Sequence, residues 1–150
     1  MRKNFIKLFD FFLKFKKKPK THHSSNLNPE KSKQIIKQLG DLMEQQRPFL
    51  NERYNIKSLA DELKIQQYQL SAFLNRQMGM NFNDYLNQHR VRYCKELIQK
   101  GVAENLNLKG LANKCGFHNR NTFTTAFKKF TGYTPSDYTR YHHTHNISSN

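Results

Sequence analysis

The sequence lacks any long run of apolar residues. Lys7, Asp10 and Lys14 interrupt the apolar stretch near the start, and no run of the roughly eighteen apolar residues needed to cross a bilayer occurs anywhere. The stretch from Met1 to His23 also lacks the uninterrupted apolar core and small-residue cleavage site of a secretory signal. The sequence therefore predicts neither a membrane span nor a secreted protein.

Cysteine is scarce as well. Cys94 and Cys115 are the only two in 150 residues, and both lie in segments of helical apolar periodicity without a Cys-x-x-Cys spacing. This pattern favours two buried thiols over a disulfide or a metal site. Buried thiols suit a reducing compartment, so the expected location is the cytoplasm.

Recognisable arrangements for catalysis are also missing. No nucleophile with a base, no paired carboxylates and no glycine-rich phosphate loop occur at a recognisable spacing. Asp61 and Glu62 fit a solvated helix face, and His142, His143 and His145 fit a basic tail better than a metal site. The sequence predicts no enzyme, no catalytic residue, no metal site and no cofactor.

Acidic residues are few. The chain has 11 Asp and Glu against 26 Lys and Arg, which gives a net charge of +15. Such a charge attracts polyanions, and two classes of partner fit it: nucleic acid and an anionic membrane surface.

Helical periodicity is what the chain has in abundance. From Pro29 onward apolar residues recur at helical spacing, without the alternation of Val, Ile and Thr that is typical of strands. This predicts an all-α domain over residues 30–142, after a polar linker over 21–29 and before a disordered tail over 143–150. The seven expected helices cover about 30–46, 57–64, 67–77, 82–100, 108–115, 120–130 and 135–142. Left-handed glycine caps are expected at Gly79, Gly101, Gly116 and Gly132.

Residues 1–20 predict a separate basic amphipathic helix. Its wide apolar face, followed by a run of lysines and Pro19, resembles a helix that lies in a membrane interface beside a polybasic anchor. The candidates for membrane contact are Phe5, Phe9, Phe12, Lys16, Lys17 and Lys18. A helix packed on the domain, a dimerisation surface and the remnant of a sensor region are the open alternatives.

The most informative feature is an internal repeat. The first group is Ile56, Lys57, Leu59, Ala60, Leu63 and Ile65, which recurs fifty-two positions later as Leu108, Lys109, Leu111, Ala112, Cys115 and Phe117. The second group is Leu70, Ser71, Leu74, Arg76 and Gly79, which recurs after a one-residue insertion as Phe123, Thr124, Phe127, Lys129 and Gly132. Each copy predicts a short helix, a tight turn and a second helix, with a small Ala where the two helices cross closely.

The outer face of each second helix carries side chains suited to the edges of bases in a major groove. Amides pair with adenine, arginine pairs with guanine, and methyl groups or rings touch thymine. In the first copy these residues are Gln67, Tyr68, Ser71, Ala72 and Asn75, and in the second Arg120, Asn121, Thr124, Thr125 and Lys128. A solvated helix face is the alternative for any one of them. Two such faces joined by the long helix over 82–100 suit successive major grooves, about 34 Å apart.

The stretch from Leu59 to Tyr138 resembles the DNA-binding domain of the AraC/XylS family of bacterial transcription regulators. The residues that carry the resemblance are Leu59-Ala60, Leu70-Ser71, Gly79, Phe82, Tyr85-Leu86-Asn87, Arg90-Val91, Leu111-Ala112, Gly116-Phe117, Phe123, Ala126-Phe127-Lys128-Lys129, Gly132, Thr134-Pro135-Ser136 and Tyr138. The match covers roughly residues 41–142, and the spacing in its second half is highly specific. The sequence departs from the family at Thr139-Arg140, where a basic residue usually follows the tyrosine directly.

This resemblance implies two homeodomain-like helix-turn-helix subdomains bridged by a linker helix, with the third and sixth helices in DNA. It places base contacts on Tyr68, Ser71, Ala72, Arg120, Asn121, Thr124 and Thr125. Candidates for contacts to the DNA backbone are Arg76, Arg90, Lys109, Lys128, Lys129 and Arg140. His118, where the second turn meets the reading helix, is a further candidate for a backbone or DNA contact. RNA polymerase is the protein partner that the resemblance implies.

Two functions follow from the sequence. The first is sequence-specific binding of double-stranded DNA and regulation of transcription. The alternative is a membrane-surface or general polyanion-binding helical protein, peripheral to the inner face of the membrane. Salt dependence discriminates them, because a protein that contacts only phosphates loses affinity with salt and shows no preferred site.

Overall fold

A computed structural model describes residues 28–147, with side chains described as far as His142. This part of the chain contains seven α-helices and no strand, so the all-α prediction is confirmed there. The helices are α1 (Pro29–Gln45), α2 (Ile56–Glu62), α3 (Gln67–Phe73), α4 (Phe82–Gln99), α5 (Leu108–Lys114), α6 (Arg120–Thr131) and α7 (Pro135–Ile147). The predicted helix over 1–20 and the linker before Asn28 lie outside the described residues.

Asparagine side chains start most of these helices by accepting a hydrogen bond from a free backbone N–H. In each case the asparagine Oδ1 atom accepts from a backbone N–H two or three residues later. The pairs are Asn28 with Glu30 at 3.1 Å, Asn55 with Ser58 at 3.1 Å, Asn107 with Gly110 at 2.8 Å and Asn119 with Thr122 at 2.8 Å. Glycines end several of them in the left-handed conformation, as predicted. Their φ angles are 67° at Gly79, 73° at Gly101, 81° at Gly116 and 83° at Gly132. Local sequence therefore sets both ends of the elements.

The chain divides into two compact units. Among the described residues, the first unit comprises 28–48 and Tyr54–Tyr85, and the second comprises Phe49–Arg53 and everything from Leu86 onward. In the first unit α2 packs on α3. In the second unit α5 packs on α6 and α6 packs on α7. The core of the second unit consists of Val91, Cys94, Leu97, Ile98, Ala103, Leu111, Ala112, Cys115, Phe117, Phe123, Ala126 and Phe127.

The two units repeat the same turn between their helices. The amide of Ile65 donates to the Ala60 carbonyl at 3.1 Å, and the amide of Phe117 donates to the Ala112 carbonyl at 3.0 Å. Each turn also holds one residue in the left-handed region, with φ 53° at Lys64 in the first unit and 81° at Gly116 in the second. The internal repeat read from the sequence is thus a repeat of backbone structure.

The predicted bounds are wrong at two helix ends. A single helix was expected over 67–77, but α3 ends at Phe73 and a π-helical segment, Leu74–Met78, follows before Gly79. A tail was expected from residue 143, but α7 continues to Ile147, and neither glycine nor proline occurs there to stop it. Residues 148–150 lie outside the described part.

Both cysteines are free and buried, as predicted. A hydrogen bond to Cys115, together with burial, raises the pKa of the Cys94 thiol above its usual range. The thiol therefore stays protonated and behaves as a small apolar side chain. Among residues 28–147, no helix has both the length and the apolar character that a membrane crossing requires.

Candidate DNA interface

Helix α6 presents the clearest candidate face for base contacts. Its inner side is fixed by aromatic packing, since the ring of Phe123 lies 5.1 Å from Phe117 and 5.7 Å from Phe127. Phe123, Ala126 and Phe127 are buried. The opposite side carries the predicted residues: Arg120, Asn121, Thr125 and Lys128 are exposed and Thr124 is half-buried. Packing of the inner side therefore orients the hydrogen-bonding side chains outward.

The corresponding face of α3 is less polar. Leu70 and Phe73 are buried, which turns the predicted set of Gln67, Tyr68, Ser71, Ala72 and Asn75 away from the core. Gln67 and Asn75 are exposed, Ser71 and Ala72 are half-buried, and Tyr68 is 68% exposed. The side-chain amide of Asn75 donates one hydrogen bond to the Ser71 carbonyl at 2.9 Å. This face offers a ring, a methyl group and neutral polar groups, and no charge.

Five of the six predicted backbone-contact residues are exposed. Arg76 follows α3, Lys109 lies in α5, and Lys128 and Lys129 lie in the last turns of α6. The ammonium group of Lys129 lies 5.6 Å from the centre of the Phe130 ring. Arg140, in α7, pairs with Asp137 across 3.6 Å. Both arrangements hold a cationic side chain at the surface of the protein.

The position of Arg90 does not fit the predicted contact with DNA. Arg90 is only 7% exposed, because its guanidinium group donates from Nε to the Phe49 carbonyl at 2.7 Å and from Nη2 to the Asn51 carbonyl at 3.0 Å. It also lies over the Phe117 ring, 5.4 Å from its centre. Burial lowers the pKa of Arg90 to about 10, which leaves it charged at neutral pH. Arg90 thus contacts the loop over Phe49–Arg53, and its burial does not fit the predicted phosphate contact.

Sequence reasoning also missed how His118 is held. Its Nδ1 atom lies 3.1 Å from Oε2 of Glu52, a residue that precedes the first helix-turn-helix unit in the chain. His118 stands immediately before Asn119, the cap of α6, and both are exposed. No periodicity or motif marks Phe49–Arg53, and the pairing spans sixty-six positions, so no local signal announces it.

Within the described residues, no group of three His, Cys, Asp or Glu side chains is arranged to hold a metal ion. The site is thus built from hydrogen-bonding and cationic side chains on two helices. Each helix is the second of a helix-turn-helix unit, and each exposes the face opposite its buried stripe. This architecture defines the class of tandem helix-turn-helix domains.

Comparisons with known proteins agree with that class. The family described as "Helix-turn-helix domain" matches residues 59–141, more than half of the chain. The uncharacterized HTH-type transcriptional regulator YijO of Escherichia coli K12 is 35% identical over 106 residues, which cover 68% of this chain and 36% of that protein. A solved protein of unknown function from Listeria innocua is 32% identical with a TM-score of 0.59, covering 72% of this chain and 96% of that one. The C-terminal domain of the two-component response regulator yesN from Fusobacterium nucleatum is 26% identical with a TM-score of 0.56, covering 67% of this chain and 97% of that one.

The chain belongs to the AraC-type helix-turn-helix family, and the resemblance read from its sequence is confirmed. It spans between 36% and 39% of the length of the first curated relatives that it matches. The family match begins at Leu59 and so leaves out Phe49–Arg53, although this segment packs in the second unit.

Proposed function

We propose that this chain binds double-stranded DNA at a preferred sequence and regulates transcription in the bacterial cytoplasm. The observation that carries the proposal is the exposed face of α6, where Arg120, Asn121 and Thr125 stand opposite a fully buried aromatic stripe. Arginine and asparagine are the side chains that pair bidentately with guanine and adenine in the major groove. A role in transcription makes RNA polymerase the implied protein partner.

The two reading helices contribute unequally to the proposed recognition. The face of α6 carries charged and amide donors, whereas the face of α3 is neutral and exposes Tyr68. A ring or methyl group contacts the thymine methyl, while a bidentate arginine contact to guanine contributes about 1–3 kcal/mol of discrimination. Most of the base discrimination is therefore expected from the half of the site that α6 reads. The predicted placement in successive major grooves is tested by a footprint with two protected segments about one helical turn apart.

Selection of bound duplexes from a random pool tests the proposal directly. We expect an enriched sequence, and a wild-type affinity that is higher for this duplex than for its scrambled version at every salt concentration. A protein that contacts only phosphates gives no enrichment and a steep loss of affinity with salt. That result would overturn the proposal and favour general polyanion binding. The membrane-surface alternative has no support in the comparisons.

Two charge-matched variants locate the base contact. Arg120→Ala is expected to lower affinity for the selected duplex and to relax preference at one base pair by about 1–3 kcal/mol. Lys129→Ala is expected to weaken selected and scrambled duplexes alike and to reduce the slope of log affinity against log salt by roughly one unit. The control is Lys31→Ala, which removes the same charge from the exposed side of α1. Equal losses on both duplexes for Arg120→Ala and Lys129→Ala would make α6 a basic surface without base reading.

A further inference from the structure

The segment Phe49–Arg53 precedes the first helix-turn-helix unit in the chain but packs in the second unit. Its backbone lies directly against the turn between α5 and α6. A Cβ atom placed at Gly116 would collide with the Phe49 carbonyl oxygen and would lie 2.8 Å from the Leu50 Cα atom. A side chain at position 116 is therefore excluded by backbone, which cannot move aside as a flexible side chain can.

Further contacts fasten this segment on two sides. On the inside, Arg90 donates to the Phe49 and Asn51 carbonyl groups while its guanidinium group covers the Phe117 ring. The Phe49 ring stacks on His89 at 5.8 Å and meets Tyr93 edge-on at 6.1 Å. On the outside, Glu52 pairs with His118 across 3.1 Å. The turn is thus held from its buried side and from its exposed side.

These contacts lead to the reading helix by a short path. Phe117 packs on Phe123 at 5.1 Å, which fixes the inner side of α6. His118 is followed by Asn119, whose side chain caps α6 at the Thr122 amide, and then by Arg120. A shift of the turn by a fraction of an ångström moves the first residues of α6, and a bidentate contact to a base tolerates little displacement.

The first unit differs at the equivalent turn. The residue that corresponds to Gly116 is Lys64, fifty-two positions earlier, and it adopts the same left-handed conformation with an exposed side chain. A lysine fits there because its side chain extends into solvent, whereas at Gly116 the backbone of Phe49 and Leu50 occupies that space. We call the segment Phe49–Arg53, together with its contacts to the turn between α5 and α6, the brace. The brace is a property of the second unit and not of the repeat.

We propose that Phe49–Arg53 is a positioning element for the second DNA-reading helix, with Arg90 and the Glu52–His118 pair as the positioning residues that hold it to the turn before α6. The proposal rests on the proposed function, since positioning has a consequence only where α6 reads bases. It assigns to Arg90 and Glu52 an effect on recognition through the placement of Arg120, without contact to DNA.

The test uses the full chain and two variants that preserve the core. Arg90→Lys keeps the charge but loses the forked donors, and Arg92→Lys is its control on the exposed side of the same helix. Glu52→Ala removes the pair to His118, and Glu96→Ala removes the same charge from the exposed side of α4. The first readout is amide hydrogen exchange over residues 116–123, compared with residues 64–70 of the first unit. This readout needs no DNA.

We expect faster exchange over 116–123 in Arg90→Lys and Glu52→Ala, unchanged exchange over 64–70, and no change in either control. On the selected duplex, preference at the base pairs read by α6 should fall about tenfold, as expected when one bidentate contact is misplaced, while preference in the half read by α3 is retained. Unchanged exchange over 116–123, or an equal rise in both turns, would overturn the brace. If the wild type selects no duplex, the proposed function fails, and the exchange data still decide on the brace.

A pure charge effect of Glu52 gives a different result. Loss of a carboxylate beside DNA raises affinity for any duplex, and Glu52→Ala would then strengthen binding to selected and scrambled DNA by the same factor. That outcome, with discrimination unchanged, would reject Glu52 as a positioning residue.

Discussion

Single side chains in the second unit carry a large part of its stability. Phe127 has no exposed surface, and its ring meets Phe123 edge-on at 5.7 Å and Tyr138 edge-on at 5.4 Å. Truncation of such a ring loses its burial and leaves a cavity between two aromatic neighbours. Because domains are stable by only about 5–15 kcal/mol, one such residue decides whether the unit is folded at physiological temperature.

Phe127→Ala is therefore expected to lower the free energy of unfolding by about 3–5 kcal/mol. Urea unfolding followed by circular dichroism measures this loss. The control is Tyr141→Ala on α7, since Tyr141 is 56% exposed and its removal should change stability by less than about 0.5 kcal/mol. An unchanged unfolding midpoint for Phe127→Ala would mean that the buried side of α6 is assigned wrongly.

His89 should make stability depend on pH. It is 3% exposed, and burial, with a smaller contribution from the positive charge of Arg92, lowers its pKa to about 3. Above the unfolded pKa of about 6.5 the ring is neutral in both states and contributes no pH dependence. Below that value the unfolded chain binds a proton that the folded chain excludes, so stability falls by about 1.4 kcal/mol per pH unit until the pH approaches the folded pKa.

The measurement is the free energy of unfolding between pH 6.5 and 5, above the range where carboxylates dominate. His89→Gln should flatten the slope by about 1.4 kcal/mol per pH unit, because the substituted side chain does not titrate. The same slope in the wild type and in His89→Gln would show that His89 takes up its proton in the folded chain.

At the scale of helices and turns, the sequence predicted what depends on neighbouring residues. Apolar spacing located all seven described helices, and the four glycines predicted as left-handed caps adopt that conformation, because caps act within one turn. The asparagine caps were not predicted. The π-helical segment Leu74–Met78 was missed, since the second copy continues as a regular helix through the equivalent residues. The spacing of apolar residues does not distinguish a π-helical segment from a regular α-helical one.

In the candidate site, too, features set by neighbouring residues were predicted and features set by distant contacts were not. The outward faces of α3 and α6 follow from the buried stripe on the opposite side, so Tyr68, Arg120 and Asn121 were predictable from helical period alone. Arg90 was not, because its partners are carbonyl groups about forty residues earlier in the chain. The family resemblance correctly suggested that an arginine belongs at position 90. It did not indicate whether that arginine is exposed, because exposure depends on packing with distant parts of the chain.

At the scale of the whole molecule, the net charge of +15 is shared between residues 1–20, which contribute +7, and the rest of the chain, which contributes +8. Residues 1–20 hold Arg2 and seven lysines against one acid. Among the described residues, the buried hydrophobic side chains run from Ile35 to Phe127, and Pro135 is buried as well. Charge outside the core strengthens attraction to a polyanion without specifying a site. Removal of residues 1–20 should therefore reduce the general affinity for polyanions without unfolding the helical domain.

Deletion of Met1 to Lys20 is expected to leave the cooperative unfolding of the domain intact, because the described residues from Asn28 onward supply buried stripes and the caps that start their helices. Thermal unfolding followed by circular dichroism should give a midpoint close to that of the full chain. The selected duplex should still be preferred over the scrambled one. If lysines in the deleted segment bind phosphates, affinity for both duplexes falls together and the slope of log affinity against log salt becomes shallower by roughly 0.9 for each phosphate-binding lysine removed. Loss of cooperative unfolding on deletion would mean that the first twenty residues complete a core that the domain cannot form alone.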